Sequence, residues 1–307
     1  MAASSAQRNA WVLTGPRQCP PPMVRLRLVC FPMAGSGACM YHDWAFPISL
    51  GVEVRGRVSR THSWVVVGTI PATSGPSHAP APQPPPSAAQ VLPIELPGTN
   101  SRLKEPKATC LRALAQDVVQ GIAAHLQPGQ PPVVLWGHSM GAWLAYEVAQ
   151  LLSAPGSGLQ RPLHLFASGN RAPSLAGLEH NPDSHVMHRL EAAEFWRVYT
   201  QRYGANPDLE SRALRAYLLP GLQADFKLVE TYTPSSLRPL DCGVIALGGT
   251  SDPRYSPGQL EAWAGVAPPS RFSVQWFEGG HLFVREQTTA VLEFLEGKLR
   301  HLLPDSR

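Results

Sequence analysis

Gly137-His138-Ser139-Met140-Gly141 is a G-x-S-x-G motif, the pattern of a serine carried on a tight turn between a strand and a helix. Glycines on either side remove side chains that would clash in such a turn, and the hydroxyl then stands at a helix N-terminus. Serine is a weak nucleophile at its own pKa and needs a base beside it. His281, in Glu278-Gly279-Gly280-His281-Leu282-Phe283, is the candidate base. Its loop follows a β-rich run at 272–277, which puts the imidazole at the C-terminal end of a strand. Of the other histidines, His138 is filler inside the motif and His301 falls in the terminal helix. Asp252, after Gly248-Gly249-Thr250-Ser251, is the candidate acid that would hold the imidazole tautomer. Asp241 is the rival acid, but it precedes the same strand and would lie at the opposite edge of a sheet. A surface histidine and an Asp-Pro turn are the non-catalytic readings of His281 and Asp252.

Acyl transfer at a serine also needs two N–H groups aimed at the oxygen that becomes negative. Met140, the residue after the serine, would supply one. The loop Pro32-Met33-Ala34-Gly35-Ser36-Gly37 would supply the other, from the Ala34 amide. The alternative is a flexible loop with no such role.

These residues must be positioned by elements, and the chain alternates strand-like and helix-like segments. Apolar, β-rich runs occur at 24–31, 91–96, 133–136, 163–166, 243–247 and 272–277. Helix-like periodicity covers 111–125, 142–152 and 288–302. The run at 133–136 is wholly apolar, as expected of a strand covered on both faces. The alternation predicts an α/β protein with a mostly parallel sheet and helices on both faces. Between two strands, 174–233 is helical in pattern over 187–203, 209–217 and 222–232, an inserted helical lid by this reading. An apolar pocket under the lid and a channel beside it are expected.

With 307 residues, 44% hydrophobic and 16% charged, the chain reads as one large globular domain over 1–307. A formal charge of +4 without dense Lys/Arg clusters argues against a nucleic-acid partner. No apolar run is long enough to span a bilayer, and 1–10 lacks the apolar stretch of a secretory signal. Five cysteines with no C-x-x-C pair indicate neither a disulfide framework nor a zinc site. The expected location is cytoplasmic, or an organelle stroma.

The sequence resembles the type II thioesterases, stand-alone enzymes of the α/β-hydrolase superfamily that act beside fatty acid, polyketide and nonribosomal peptide synthases. The matching residues begin with Cys30-Phe31-Pro32-Met33-Ala34-Gly35, Tyr41, Trp44, Leu96-Pro97-Gly98, Arg102 and Glu105-Pro106. They continue through Gly137–Gly141 (the serine motif), Ser168-Gly169, Arg171-Ala172-Pro173, Pro220, Asp225-Phe226 and Tyr232. They end with Gly248-Gly249, Asp252, Trp263 and Gly279-Gly280-His281. The resemblance implies the α/β-hydrolase fold, a Ser139–His281–Asp252 triad and a helical lid. It implies hydrolysis of acyl thioesters on the phosphopantetheine arm of an acyl carrier protein, or of acyl-coenzyme A, with no metal or bound cofactor. Two residues depart from the family pattern: Thr99 stands where Arg usually follows Pro-Gly, and Ser36 replaces a glycine in the oxyanion loop. A carboxylesterase or lipase of the same fold, and a non-catalytic binding module, remain the other readings.

One stretch, 54–90, fits neither the periodicity nor the resemblance. Its second half is dense in proline: Pro76, Pro80, Pro82, Pro84, Pro85 and Pro86 lie among small polar residues. It reads as a disordered insertion and, by its ends, as translated intron. A Val codon at 54 can open with GT, and a Gln codon at 90 can close with AG. Removing it joins Gly51-Val52-Glu53 directly to Val91-Leu92-Pro93-Ile94.

Overall fold

Every run expected to be a strand is one, and the six form a single sheet. They are β1 (Leu26–Phe31), β2 (Ala89–Pro93), β3 (Val133–His138), β4 (His164–Ser168), β5 (Gly243–Gly249) and β6 (Phe272–Phe277). Their order is β2-β1-β3-β4-β5-β6, and each neighbouring pair is parallel. The computed structural model describes residues 10–13, 24–44 and 89–303. The expected insertion therefore lies outside the described residues up to 88. Its last two residues are part of the sheet: Ala89 and Gln90 open β2, paired with Leu26 and Arg27.

The helices are α1 (Leu111–Gly121), α2 (Met140–Ser153), α3 (Ala192–Tyr203), α4 (Arg212–Glu230), α5 (Pro257–Glu261), α6 (Phe283–Glu286) and α7 (Thr288–Leu302). All six residues of β3 are buried, and the strand serves two cores by alternation. Val133 and Leu135 join a cluster with Leu114 and Val118 of α1 and Leu144 and Val148 of α2. Val134 and Trp136 join a second cluster with Val291, Leu295 and Leu299 of α7. Helices thus cover both faces of the sheet, the α/β-hydrolase architecture.

Between β4 and β5 the chain leaves the sheet. It makes short 3-10 turns at Pro173–Leu175, Leu178–His180 and Met187–Arg189, then α3 and α4. This segment has its own small apolar cluster of Met187, Phe195, Trp196, Val198, Leu222 and Phe226. Two boundaries differ from the sequence reading. Helix α4 runs unbroken through Pro220, where the sequence suggested two helices. Proline forfeits one backbone hydrogen bond, but Leu222 and Phe226 are buried on one side of α4 and Leu228 on another, and packing outweighs the loss. Helix α1 stops at Gly121, and Ala123–His125 is a 3-10 turn rather than a continuation.

Strand order sets the place of the site. The chain steps from β1 outward to β2, then returns past β1 to β3, so the order reverses between β1 and β3. A crevice opens at the C-terminal ends of strands at such a reversal. Phe31 pairs with Gly137 there, so the loop after β1 and the turn after β3 emerge side by side.

Candidate active site

Ser139 sits between β3 and α2 with φ 55° and ψ −121°, a conformation that side-chain-bearing residues rarely adopt. Its neighbours explain how the turn closes. A Cβ on Gly137 would lie 2.0 Å from the Gly141 carbonyl oxygen, and one on Gly141 would lie 2.2 Å from the Phe31 oxygen. Only glycine lets these backbones approach. The turn is braced by the Ser139 N–H donating to the Ser168 oxygen at 2.8 Å. Asn170 Nδ2 donates to the Ser139 oxygen at 2.9 Å. Asn170 is buried and was not singled out by sequence reading; its neighbours Ser168-Gly169 were the only signal.

His281 follows β6 and reaches both partners expected of it. Its Nε2 is 3.0 Å from Ser139 Oγ. Its Nδ1 is 2.8 Å from Asp252 Oδ2. The imidazole and the carboxylate are both nearly inaccessible, each with 3% side-chain exposure. Asp252 Oδ1 accepts from the Arg254 N–H at 2.9 Å, which fixes the carboxylate plane. The rival Asp241 is on the surface and pairs with Arg161 at 2.6 Å. His138 is buried with Nδ1 2.8 Å from Ser168 Oγ. Burial, and then the nearby His281, hold its pKa well below the usual histidine range, so the ring is neutral. A neutral ring 5.2 Å from that of His281 sets no second positive charge beside an imidazolium.

The two candidate oxyanion amides come from the adjacent loops. Met140 is the first residue of α2, where an N–H has no partner within its helix. The other loop is a turn closed by the Ser36 N–H donating to the Met33 oxygen at 3.1 Å, with Ala34 and Gly35 at its centre. Among the described residues, no hydrogen bond uses the Ala34 N–H.

A family model described as a thioesterase domain matches residues 81–299. The chain belongs to the thioesterase family. It is 33% identical to the linear gramicidin dehydrogenase LgrE of Brevibacillus parabrevis, over 69% of this chain and 78% of that protein. It is 28% identical to the gramicidin S biosynthesis protein GrsT of Aneurinibacillus migulanus, over 91% of each. Among solved structures it resembles the RedJ thioesterase of the prodiginine pathway in Streptomyces coelicolor. That match has TM-score 0.69 and 28% identity, and covers 95% of this chain and 99% of that one.

The thioesterase family membership agrees with the resemblance carried by the sequence motifs, and it makes the chain a thioester hydrolase. The hydroxyl of Thr99, a departure from the usual pattern, lies within hydrogen-bond reach of two acceptors, the buried carboxylate of Glu95 and the Leu96 oxygen. Ser36, the other, lends its backbone to the oxyanion-loop turn. The cleft over Ser139 and His281 differs from expectation. It is not simply apolar: Tyr199, Tyr203 and Phe226 line it together with Arg171, Arg202, Arg254 and Glu230. Asp183 explains how two of these cations are buried, since it pairs with both Arg202 and Arg254. These guanidiniums hold its carboxyl well below the usual carboxylate range against the opposing effect of burial. Pairing across 19 and 71 positions has no local sequence signature, so this network was not foreseen. Among the described residues, no group of three or more His, Cys, Asp or Glu side chains is placed to hold a metal ion, and no helix is long and apolar enough to cross a membrane.

Proposed function

We propose that this thioesterase hydrolyses acyl groups held as thioesters on the phosphopantetheine arm of a carrier protein, using Ser139, His281 and Asp252. One observation carries the reading: a single buried imidazole lies within hydrogen-bond reach of the serine on one nitrogen and of the carboxylate on the other. Ser139 Oγ attacks the thioester carbonyl carbon while its proton passes to His281 Nε2. The carbonyl oxygen becomes negative and is met by the Met140 and Ala34 amides. The C–S bond breaks, and the imidazolium returns the proton to the departing sulfur. Water then attacks the acyl-serine carbonyl while His281 Nε2 takes its proton; the C–Oγ bond breaks as the imidazolium returns that proton to Ser139 Oγ, and the free acid leaves. Asp252 keeps the Nδ1 proton in place and stabilises the imidazolium. Every atom and proton is accounted for without a metal or redox partner.

Two features bear on the partner. The relatives named for gramicidin S and prodiginine biosynthesis favour a carrier protein of a biosynthetic synthase, of the polyketide or peptide kind. The segment 174–233 acts as a lid, since α3 and α4 supply much of the cleft wall over Ser139. The test is a panel of acyl groups on a phosphopantetheinylated carrier protein, read by mass spectrometry beside the matching acyl-coenzyme A and oxygen esters. Release from the carrier at rates well above the oxygen esters is expected, with none from Ser139→Ala. Faster turnover of oxygen esters by the same serine would make the chain an esterase and overturn the proposal.

A further inference from the structure

We infer that Asp225, on α4, is a positioning residue for the oxyanion loop, so that Ser139 is fully competent only while α4 is seated against the sheet domain. The inference rests on the proposed role of Ser139 and extends it to the control of its oxyanion hole. Asp225 is 190 positions from Gly35 in the chain, yet its Oδ2 accepts the Gly35 N–H at 2.9 Å. Both of its oxygens also accept from Lys107 Nζ at 2.9 Å. The side chain has 3% exposure, so this carboxylate is withdrawn from water and committed to three bonds.

The bond falls on the residue next to the free amide. Gly35 has φ +75° and Ser36 N–H closes the turn onto Met33, which are the features of a type II turn with Ala34 and Gly35 at its centre. A turn of this kind is held by one internal bond, and its central peptide can rotate unless something outside fixes it. Asp225 fixes it through the Gly35 N–H. Leu222, one turn earlier on α4, packs where a Gly35 Cβ would lie, with its Cδ2 2.4 Å from that position. The loop is therefore held from one side by β1 and from the other by α4. The Ala34 amide, one peptide away, inherits its direction from this arrangement. Lifting α4 removes the carboxylate and Leu222 together, and the turn loses its outer support.

Asp225 does not touch the reacting atoms. A merely structural role, fastening α4 to the sheet domain, is the competing account, and Lys107 separates the two. Lys107→Met breaks the same ion pair but leaves the Asp225 acceptor for Gly35. Asp225→Leu removes both bonds, and Asp225→Asn keeps an acceptor of the same shape. The readouts are kcat and KM for a short acyl-pantetheine thioester, and the rate at which Ser139 is labelled by a fluorophosphonate, which also develops charge on oxygen. A misdirected oxyanion donor is expected to cost kcat about 10- to 100-fold. Asp225→Leu should show that loss with KM little changed, Asp225→Asn should recover most of it, and Lys107→Met should keep kcat near the wild type. Labelling rates should follow the same order. Equal losses in Lys107→Met and Asp225→Leu, or a loss confined to KM, would overturn the inference. If Asp225→Leu does not fold, the Asn and Met variants still decide: a kcat lower in Lys107→Met than in Asp225→Asn contradicts it. If the wild type cleaves no thioester yet Ser139 is labelled, the thioesterase reading fails while the labelling series still tests Asp225.

Discussion

At the scale of residues, the site is a chain of hydrogen bonds whose members contribute unequally. Ser139 and His281 act as one unit, so replacing either with alanine should abolish nearly all turnover, a loss on the order of 10^6-fold in kcat. Asp252→Asn should cost less, roughly 10^4-fold, because the amide keeps the geometry but presents the wrong partner to Nδ1. Asp241→Asn should leave kcat unchanged, since that carboxylate only pairs with the exposed Arg161. Steady-state kinetics on one acyl thioester checks all four. Damage from the Asp241 change with none from Asp252 would reverse the assignment of the acid. These residues were legible because each stands in a local pattern: a glycine-flanked serine, a histidine behind two glycines, and an aspartate just past a strand. Asp225, Asp183 and Asn170 were not legible as supports. The partners that make them supports lie 19 to 190 positions away, and only the folded chain brings them together.

At the scale of elements, we propose that the segment between β4 and β5 opens as a lid. Its cluster around Phe195, Trp196 and Phe226 is separate from the two clusters that flank the sheet. Polar links hold it down: Asp225 to Lys107, Asp183 to Arg254, and Gln259 Nε2 to the His180 oxygen at 2.9 Å. The C-terminal end of the segment is anchored in the sheet core by Leu228 and Tyr232, while the rest, with its own cluster and polar links, opens at lower free energy than the sheet it covers. Amide hydrogen exchange should show α3 and α4 exchanging through a local opening while β3 and α2 exchange only with global unfolding. Covalent labelling of Ser139 by a long-chain fluorophosphonate should slow exchange in α3 and α4 and leave α7 unaltered. Equal protection of α4 and β3 would exclude a lid that opens on its own. Periodicity revealed that helices fill this segment but not where they end, because Pro220 is overridden by the packing of α4 and 187–191 forms a 3-10 turn and a helix cap instead of helix. Sheet strands fared better, since a parallel strand covered on both faces must be apolar throughout and shows as such in the sequence.

At the scale of the whole molecule, the question is what the chain gains from 54–90. We propose that it gains nothing, because the residues on either side of 54–90 are interchangeable at the start of β2. Ala89 and Gln90 occupy the first two positions of β2, beside Leu26 and Arg27. Ala89 is buried, and the Gln90 side chain accepts from Arg27 Nε at 3.1 Å. If 54–90 were removed, Val52 and Glu53 would enter these same two positions. Valine suits a buried strand position better than alanine, and glutamate offers Arg27 a charged acceptor in place of an amide. The residues before the insertion thus suit β2 at least as well as the residues that end it, which is the relation expected if 54–90 is retained intron. A chain lacking 54–90 should fold, keep kcat/KM within about twofold, and gain up to about 1 kcal/mol from the Arg27–Glu53 pair, the upper range for a partly exposed ion pair. Denaturant titration of both chains measures the gain. The pair itself is checked by Arg27→Gln, which should destabilise the shortened chain more than the full one. Failure of the shortened chain to fold would show that 54–90 is structural. Sequencing of the transcripts tests the origin separately: if every messenger RNA carries the segment, it is part of the coding sequence, and the fit of Val52-Glu53 to the strand is coincidence.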